Sequence, residues 1–363
     1  VTGDSVSTIA SDGDNVYVVR NQELTVAHAY PVEELAVVAK QPIEGSPREL
    51  FVVRGAAGEP TSVVVYSDVD GTALYAEAGL TTPENSAGSY GLPMIDCWDC
   101  YPYFWLPATK VTVLSVTDDA VTVDKELYYE GSYLSSRRHG SAIRTILQVP
   151  SRAPSLSYYA EEADQTKAML LVLEDLAAAD RDVADIPAED LDAMVREQLA
   201  AILVDQQEAE IRQISHEDWL PRTFWREGEA LDHETLPCEA FYLPAAGSTT
   251  AGVTFVAELD LEALDADTDD VAVLGLADTL YENASKVVLS STWWDYRPAT
   301  GESSTQTLVH QFDVSEPGRI EYEASGAVPG RVHNQFSLDE RDGVLRIVTT
   351  EDGTAQDDWT SSA

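Results

Sequence analysis

The sequence predicts a mainly β protein of the sandwich, barrel or propeller kind, interrupted once by an inserted α-helical hairpin. Three observations carry this expectation. Short runs rich in Val, Ile, Tyr and Thr recur along most of the chain, broken by Gly, Asp and Pro. One window, residues 160–215, changes from strand-like to helical spacing of its apolar residues. The stretch Gly318–Thr350 reads as three strands, Arg319–Ala324, Val332–Leu338 and Val344–Thr349, with turns at Gly326–Gly330 and Asp339–Gly343. Such a stretch is an antiparallel meander, not a nucleotide-binding βαβ unit.

Taken in order, Asn15–Arg20 follows the turn Ser11-Asp12-Gly13-Asp14 and is the first clear strand. Glu49–Val53, Ser62–Tyr66, Lys110–Val116, Ala120–Leu127 and Ile143–Leu147 continue the pattern. Glu161–Ala179 then places Ala168, Leu171, Val172 and Asp175 at helical spacing. Pro187 opens a second helix, with Leu191, Met194, Val195, Leu199, Ile202 and Leu203 as its apolar stripe. Strands return after Trp219, at Val253–Leu259, Lys286–Ser291 and Thr307–Val314. The expected organisation is a first β part (1–159), the helical insertion (160–215), a β continuation (216–350) and a polar tail (351–363).

At 363 residues and 44% hydrophobic content the chain is long and apolar enough to bury a large core. No apolar run approaches the roughly 20 residues needed to span a bilayer as a helix. No basic-then-apolar leader opens the sequence, so any export signal is expected to have been removed or never present. The net charge is −42, and only five of the 22 basic residues are Lys. So negative a field repels nucleic-acid phosphates and anionic lipid and attracts cations or basic proteins. An acidic, Lys-poor surface also stays hydrated in salty surroundings, which explains the charge without a specific site.

Cys97, Cys100 and Cys238 are too few for a disulfide scaffold or a four-cysteine zinc site. Cys97 and Cys100 lie in CWDCYPYFW, a spacing open to a redox pair, half a metal site or a local disulfide. The aromatic, Pro-punctuated loop that follows favours a structural disulfide or buried thiols over a redox helix start.

Val63–Leu74, VVVYSDVDGTAL, resembles the first motif of haloacid-dehalogenase-type phosphatases. That resemblance would make Asp68 a nucleophile and Asp70 a general acid, both helping to hold Mg²⁺. Such enzymes need a parallel sheet with crossover helices, which this region lacks, and Asp-Gly is also a favoured hairpin turn. Asp265, Asp267 and Asp269 alternate in an acidic loop that could gather Ca²⁺, as could Ser11–Asp14 and Asp339–Asp342. The loop lacks the sixth-position Gly and twelfth-position Glu of a helix–loop–helix calcium site, and a solvated acidic turn is the competing reading. Six scattered histidines form no zinc motif, and no Gly-rich phosphate loop follows a strand. His333, in an expected strand, reads as a core position. Trp98, Tyr101, Tyr103, Phe104 and Trp105 crowd one stretch, and Trp293, Trp294 and Tyr296 another. Exposed, such clusters stack on sugars or peptides; buried, they cap a β core, which is the favoured expectation here.

Several blocks together resemble a family of secreted β-propeller proteins distantly related to WD-repeat propellers. They are Ala324–Gly330, Asn334–Glu340 and Gly343–Thr350, preceded by Asp12-Gly13 with Val16-Tyr17-Val18, Glu130–Arg137, Leu220-Pro221, Cys238, and Tyr242–Pro244 with Val253–Leu259. The resemblance runs from about residue 11 to 350. It implies a propeller with an inserted helical pair and an exported, cell-envelope or extracellular location, and it brings no catalytic residue with it. In that family the pattern continues past the position of Thr350, which leaves two expectations open: that the visible sequence is a fragment, or that its propeller closes with another segment. The functional expectation is a non-catalytic binding, adhesion or assembly scaffold for a protein or glycan ligand. The alternatives are a metal-dependent hydrolase built on Asp68 and Asp70, and a calcium-stabilised surface protein.

Overall fold

The computed structural model describes residues 8–55, 59–82, 106–117, 120–150, 160–213, 215, 217, 219–243, 252–266, 269–297 and 302–351. They fall into two compact units: a β unit from Val1–Thr82, Trp105–Ser151 and Leu220–Ala363, and a smaller unit containing the two long helices.

Four sheets, antiparallel but for one short parallel pair in the third, succeed one another in the β unit. The first is the meander β1 (Thr8–Ser11), β2 (Asn15–Arg20), β3 (Glu23–His28) and β4 (Ala36–Pro42). Next come β5 (Ser46–Val53), β6 (Thr61–Asp70), the short helix α1 (Thr72–Glu77), β7 (Pro107–Val116) and β8 (Val121–Glu130). β9 (Ser132–His139) and β10 (Ala142–Pro150) begin the third sheet. The chain then enters α2 (Glu162–Ala178) and α3 (Ala188–Ile211). On its return, β11 (Arg222–Glu227) pairs with β8, and β12 (Ala230–Thr235) pairs with β11, widening the second sheet to the order β12-β11-β8-β7-β6-β5. β13 (Phe241–Tyr242), β14 (Gly252–Asp260) and β15 (Val271–Leu274) complete the third sheet, in which β13 runs parallel to β15. β16 (Thr279–Glu282), β17 (Lys286–Arg297), β18 (Glu302–Asp313) and β19 (Glu321–Pro329) form the fourth. The short pairs β20 (Arg331–Val332) with β23 (Thr349–Thr350), and β21 (Leu338–Arg341) with β22 (Val344–Ile347), follow it.

The sheets pack face to face, and the period of two along each strand decides which neighbour a residue meets. On β6, Val63 and Val65 join Tyr17, Val19, Leu24 and Val26 of the first sheet. The alternate residues Val64 and Tyr66 join Ile143, Leu147, Phe255 and Ala257 of the third. On β14, Val256 turns the other way, toward Leu280, Val287, Leu289 and Phe312. Both faces of the middle strands are thus buried, which is why their sequences are nearly continuous apolar runs instead of alternating ones.

A repeated joint links successive sheets. Gly131 N donates to Pro107 O at 2.8 Å and Gly131 O accepts from the Thr109 hydroxyl at 3.0 Å. Gly275 stands in the same relation to Gly252 and Thr254, and Gly330 to Thr305 and Thr307, all at 2.8 Å. At the first junction Ser67 donates to Glu44 O at 2.6 Å beside Gly45. Gly131 has φ +114°, and a Cβ there would stand 2.8 Å from Gln148 O, so only glycine fits this chain path.

In the helical unit α2 and α3 pack on each other through Ala168, Val172, Leu176 and Ile202. A capping box between Glu161 and Asp164 starts α2, and Pro187 precedes α3. The buried stripe is narrower than the sequence pattern suggests, since Leu170, Leu173 and Val204 stay exposed. No helix among the described residues is long and apolar enough to cross a membrane.

Four local expectations are corrected. Gly326 lies inside β19, which runs on to Pro329 before turning at Gly330. The expected strand Val332–Leu338 is broken by a 3₁₀ turn, because the Asn334 side chain accepts from Phe336 N at 3.0 Å. Phe336 is exposed as a result, as is His333, which fills no core position. The Asp-Gly hairpin turn expected at Asp70-Gly71 is instead the entry to α1.

Candidate functional site

Asp68 and Asp70 close β6. Asp68 accepts at 2.5 Å from Nε of Arg48, which sits at the irregularity between Pro47 and Glu49 on the neighbouring β5. Asp70 Oδ1 accepts from Thr72 N at 3.0 Å and the Thr72 hydroxyl at 2.7 Å, holding the first turn of α1. Their strand lies between two antiparallel neighbours, β5 and β7. Asp265 is fully exposed and lies 3.1 Å from Lys125 Nζ, while Asp269 N donates to Gly318 O. Asp267, Cys97 and Cys100, and the aromatics from Trp98 to Trp105, lie outside the described residues. Among the described residues no group of three His, Cys, Asp or Glu is placed to hold a metal. Cys238 carries a free, exposed thiol. In the second aromatic cluster Trp294 is exposed, against the expectation of a core role.

Asp12 serves the first turn of the chain. Burial alone would raise its carboxyl, but hydrogen bonds from Asn15 N (2.8 Å), the Tyr17 hydroxyl (2.7 Å) and Asp14 N (3.1 Å) win and hold it below its ordinary value. Tyr17 is pushed up to about 12 by burial and by that carboxylate.

Sequence reasoning did not find two further constellations. The first joins the third and fourth sheets. Arg144 on β10 stands in register with Glu258 on β14, with Nε 2.7 Å from Oε2, and both side chains are almost fully withdrawn from water. Arg144 also reaches Val314 O at 2.5 Å and Glu282 Oε1 at 3.4 Å, and Glu258 Oε1 accepts from Gly318 N. Burial lifts the Glu282 carboxyl to about 7 against the opposing pull of Arg144. His139 Nε2 lies 3.5 Å from Glu282, and burial, followed by the charges of Arg144, Arg137 and Arg138, lowers its pKa. The available signal was a charged residue inside each apolar strand, Arg144 in AIRTIL and Glu258 in FVAELD.

The second constellation is an open groove of about 550 Å³ lined by Tyr242, Asp313, Ile320, Glu321, Tyr322 and Glu323. Tyr242 stacks on Tyr322 with ring centroids 4.5 Å apart and planes 9° from parallel, and Phe312 meets Tyr322 edge-on at 5.5 Å. Lys286 Nζ lies 2.6 Å from Asp313 and 2.5 Å from Glu323. The hydrogen bond from Lys286 holds the Asp313 carboxyl well below the usual range, and those from Gln311 and Lys286 lower that of Glu323. Aromatic faces beside ionised carboxylates can stack on a sugar or peptide and attract a cation. The buried Arg144 group, by contrast, is spent on joining sheets.

The family described as a beta propeller domain matches this chain over residues 4–363. No curated protein matches it.

Proposed function

The chain belongs to the beta propeller domain family, and on that footing we propose that it is an exported, non-catalytic binding or assembly scaffold. The groove at Tyr242 and Tyr322 carries this reading. It sets a stacked aromatic pair beside three carboxylates on one open surface. Elsewhere the charged groups fasten the protein to itself: Arg48 to Asp68, Arg226 to Glu77, and Arg144 to Glu258. The net charge of −42 favours cations or basic partners and disfavours nucleic acid. An extracellular or cell-surface location suits an acidic, hydrated exterior.

The test is calorimetric titration with a panel of soluble oligosaccharides and cationic peptides, with the same mixtures assayed for turnover. Binding without turnover that Tyr322→Ala weakens at least tenfold supports the scaffold. Turnover of any ligand, or binding indifferent to Tyr322→Ala, overturns it.

A further inference from the structure

We infer that the outer edge of β19 is a docking lane for an extended, lysine- or arginine-bearing segment of a protein partner, which adds to the fourth sheet as a further strand. This deepens the binding reading of the groove and rests on it, since Glu321, Tyr322 and Glu323 belong to both.

The fold already lengthens sheets in this way. β11 and β12 extend the second sheet beyond β8, and β13 extends the third beyond β15, so strands made elsewhere in the chain add to sheet edges here. The fourth sheet ends at β19, which pairs with β18 on one side and, among the described residues, with no strand on the other. An edge strand keeps every second N–H and C=O pointing outward, a ladder that another extended chain can satisfy. β19 is nine residues long and exposed over most of its length. Its middle, Ala324-Ser325-Gly326-Ala327, has almost no side-chain bulk, and a Cβ on Gly326 would meet nothing within 4 Å.

Charge selects the occupant. Glu316, Glu321, Glu323 and Asp313 surround the start of the strand, against only Lys286 and Arg319. A second copy of this chain would bring the same glutamates and a further net charge of −42 to the lane. A cationic segment would instead set Lys or Arg opposite Glu321 and Glu323, with its alternate residues on the face that carries Tyr322.

The experiment is fluorescence polarisation with a labelled peptide of about ten residues alternating Lys with Val and Thr, run beside three controls. One control has Glu in place of Lys, and two are N-methylated along one edge or the other. Hydrogen exchange of the complex locates the site. The expected result is binding by the Lys peptide at least tenfold tighter than by the Glu peptide. It should be lost on methylating one edge and kept on methylating the other, with new protection confined to β19. Equal binding of both methylated forms, protection elsewhere on the acidic surface, or binding by neither parent peptide overturns strand addition. Methylation-insensitive binding that Tyr322→Ala still weakens removes strand addition alone and leaves the groove reading standing. Methylation-sensitive binding indifferent to Tyr322→Ala keeps strand addition and removes the groove reading.

Discussion

Arg144 and Glu258 face each other across β10 and β14, in register and 2.7 Å apart, where neither touches bulk water. Further side-chain contacts of the pair, with Val314 O, Glu282 and Gly318 N, come from the fourth sheet and its flanking turn. Removing one member strands the other in a low-dielectric site. Arg144→Met is therefore expected to lower the unfolding free energy by about 3–5 kcal/mol in urea titrations. The double replacement Arg144→Met with Glu258→Leu should recover most of that loss.

Glu282 makes stability depend on pH. Its carboxyl titrates near 7 when folded, against about 4.5 for an ordinary glutamate. Below about 4.5 both states hold the proton. Between the two values the unfolded chain releases it and the folded chain does not, so this contribution is lost as pH rises through that window. His139 shifts the opposite way and adds stability as pH rises toward 6.5. Thermal melts of wild type and Glu282→Gln at pH 5 and pH 8 separate the two, because only the carboxyl differs. The variant should gain on wild type by on the order of 1 kcal/mol or more at the higher pH. Parallel melting curves would mean that Glu282 does not titrate in this range.

The joints between sheets should be sensitive to single atoms. The Thr254 hydroxyl donates to Gly275 O and accepts from Ala277 N, both at 2.8 Å and both buried. Thr254→Val leaves that N–H without its acceptor and should cost about 1–3 kcal/mol, whereas Thr254→Ser should cost much less. Gly131→Ala drives a Cβ against Gln148 O in a left-handed backbone and should cost at least as much. Chemical denaturation of the three variants checks the order.

Asp12 gathers hydrogen bonds from two backbone N–H groups and the Tyr17 hydroxyl. Its pKa is depressed on folding, so its contribution is present above about 3.8 and lost as pH falls through the folded value. Asp12→Ala should destabilise by roughly 1–2 kcal/mol at pH 7, with the gap to wild type closing below pH 3. A gap that persists in acid would assign the effect to packing instead of charge.

For Asp68 and Asp70 the contacts with Arg48 and Thr72 lead us to expect structural roles. Wild type and Asp68→Asn should both release no phosphate from a generic aryl phosphate with Mg²⁺. Asp70→Ala should cost about 1 kcal/mol through loss of its two hydrogen bonds from Thr72. Magnesium-dependent release that Asp68→Asn abolishes would restore the hydrolase reading.

The strands that carry the core were legible because their chemistry is local. VVVY at 63–66 is β-branched or aromatic throughout, and the β14 run FVAEL is apolar on both faces but for Glu258, which marks strands enclosed by two sheets. Both helices announced themselves by spacing and by Pro187. What failed was short-range competition. Asn334 bonds its own backbone and breaks a strand that alternation alone predicted, and Gly326 passes through a strand when glycine usually ends one. The groove was illegible for another reason: Tyr242 and Tyr322 are 80 residues apart and meet only because β13 lines the third sheet and β19 the fourth. Pair registers such as Arg144 with Glu258, 114 residues apart, are equally silent in one sequence.

The order of strands has a consequence for how the protein is made. When residues up to Pro150 have left the ribosome, the second sheet still lacks β11 and β12 and the third lacks β13, β14 and β15. Neither can finish until the helical insertion has been synthesised and the chain has come back to both. The two middle sheets must wait with open edges and exposed valines for strands made about 70 to 120 residues later. Closure over such separations is slow, so nascent chains of this protein are most exposed to mispairing during that interval.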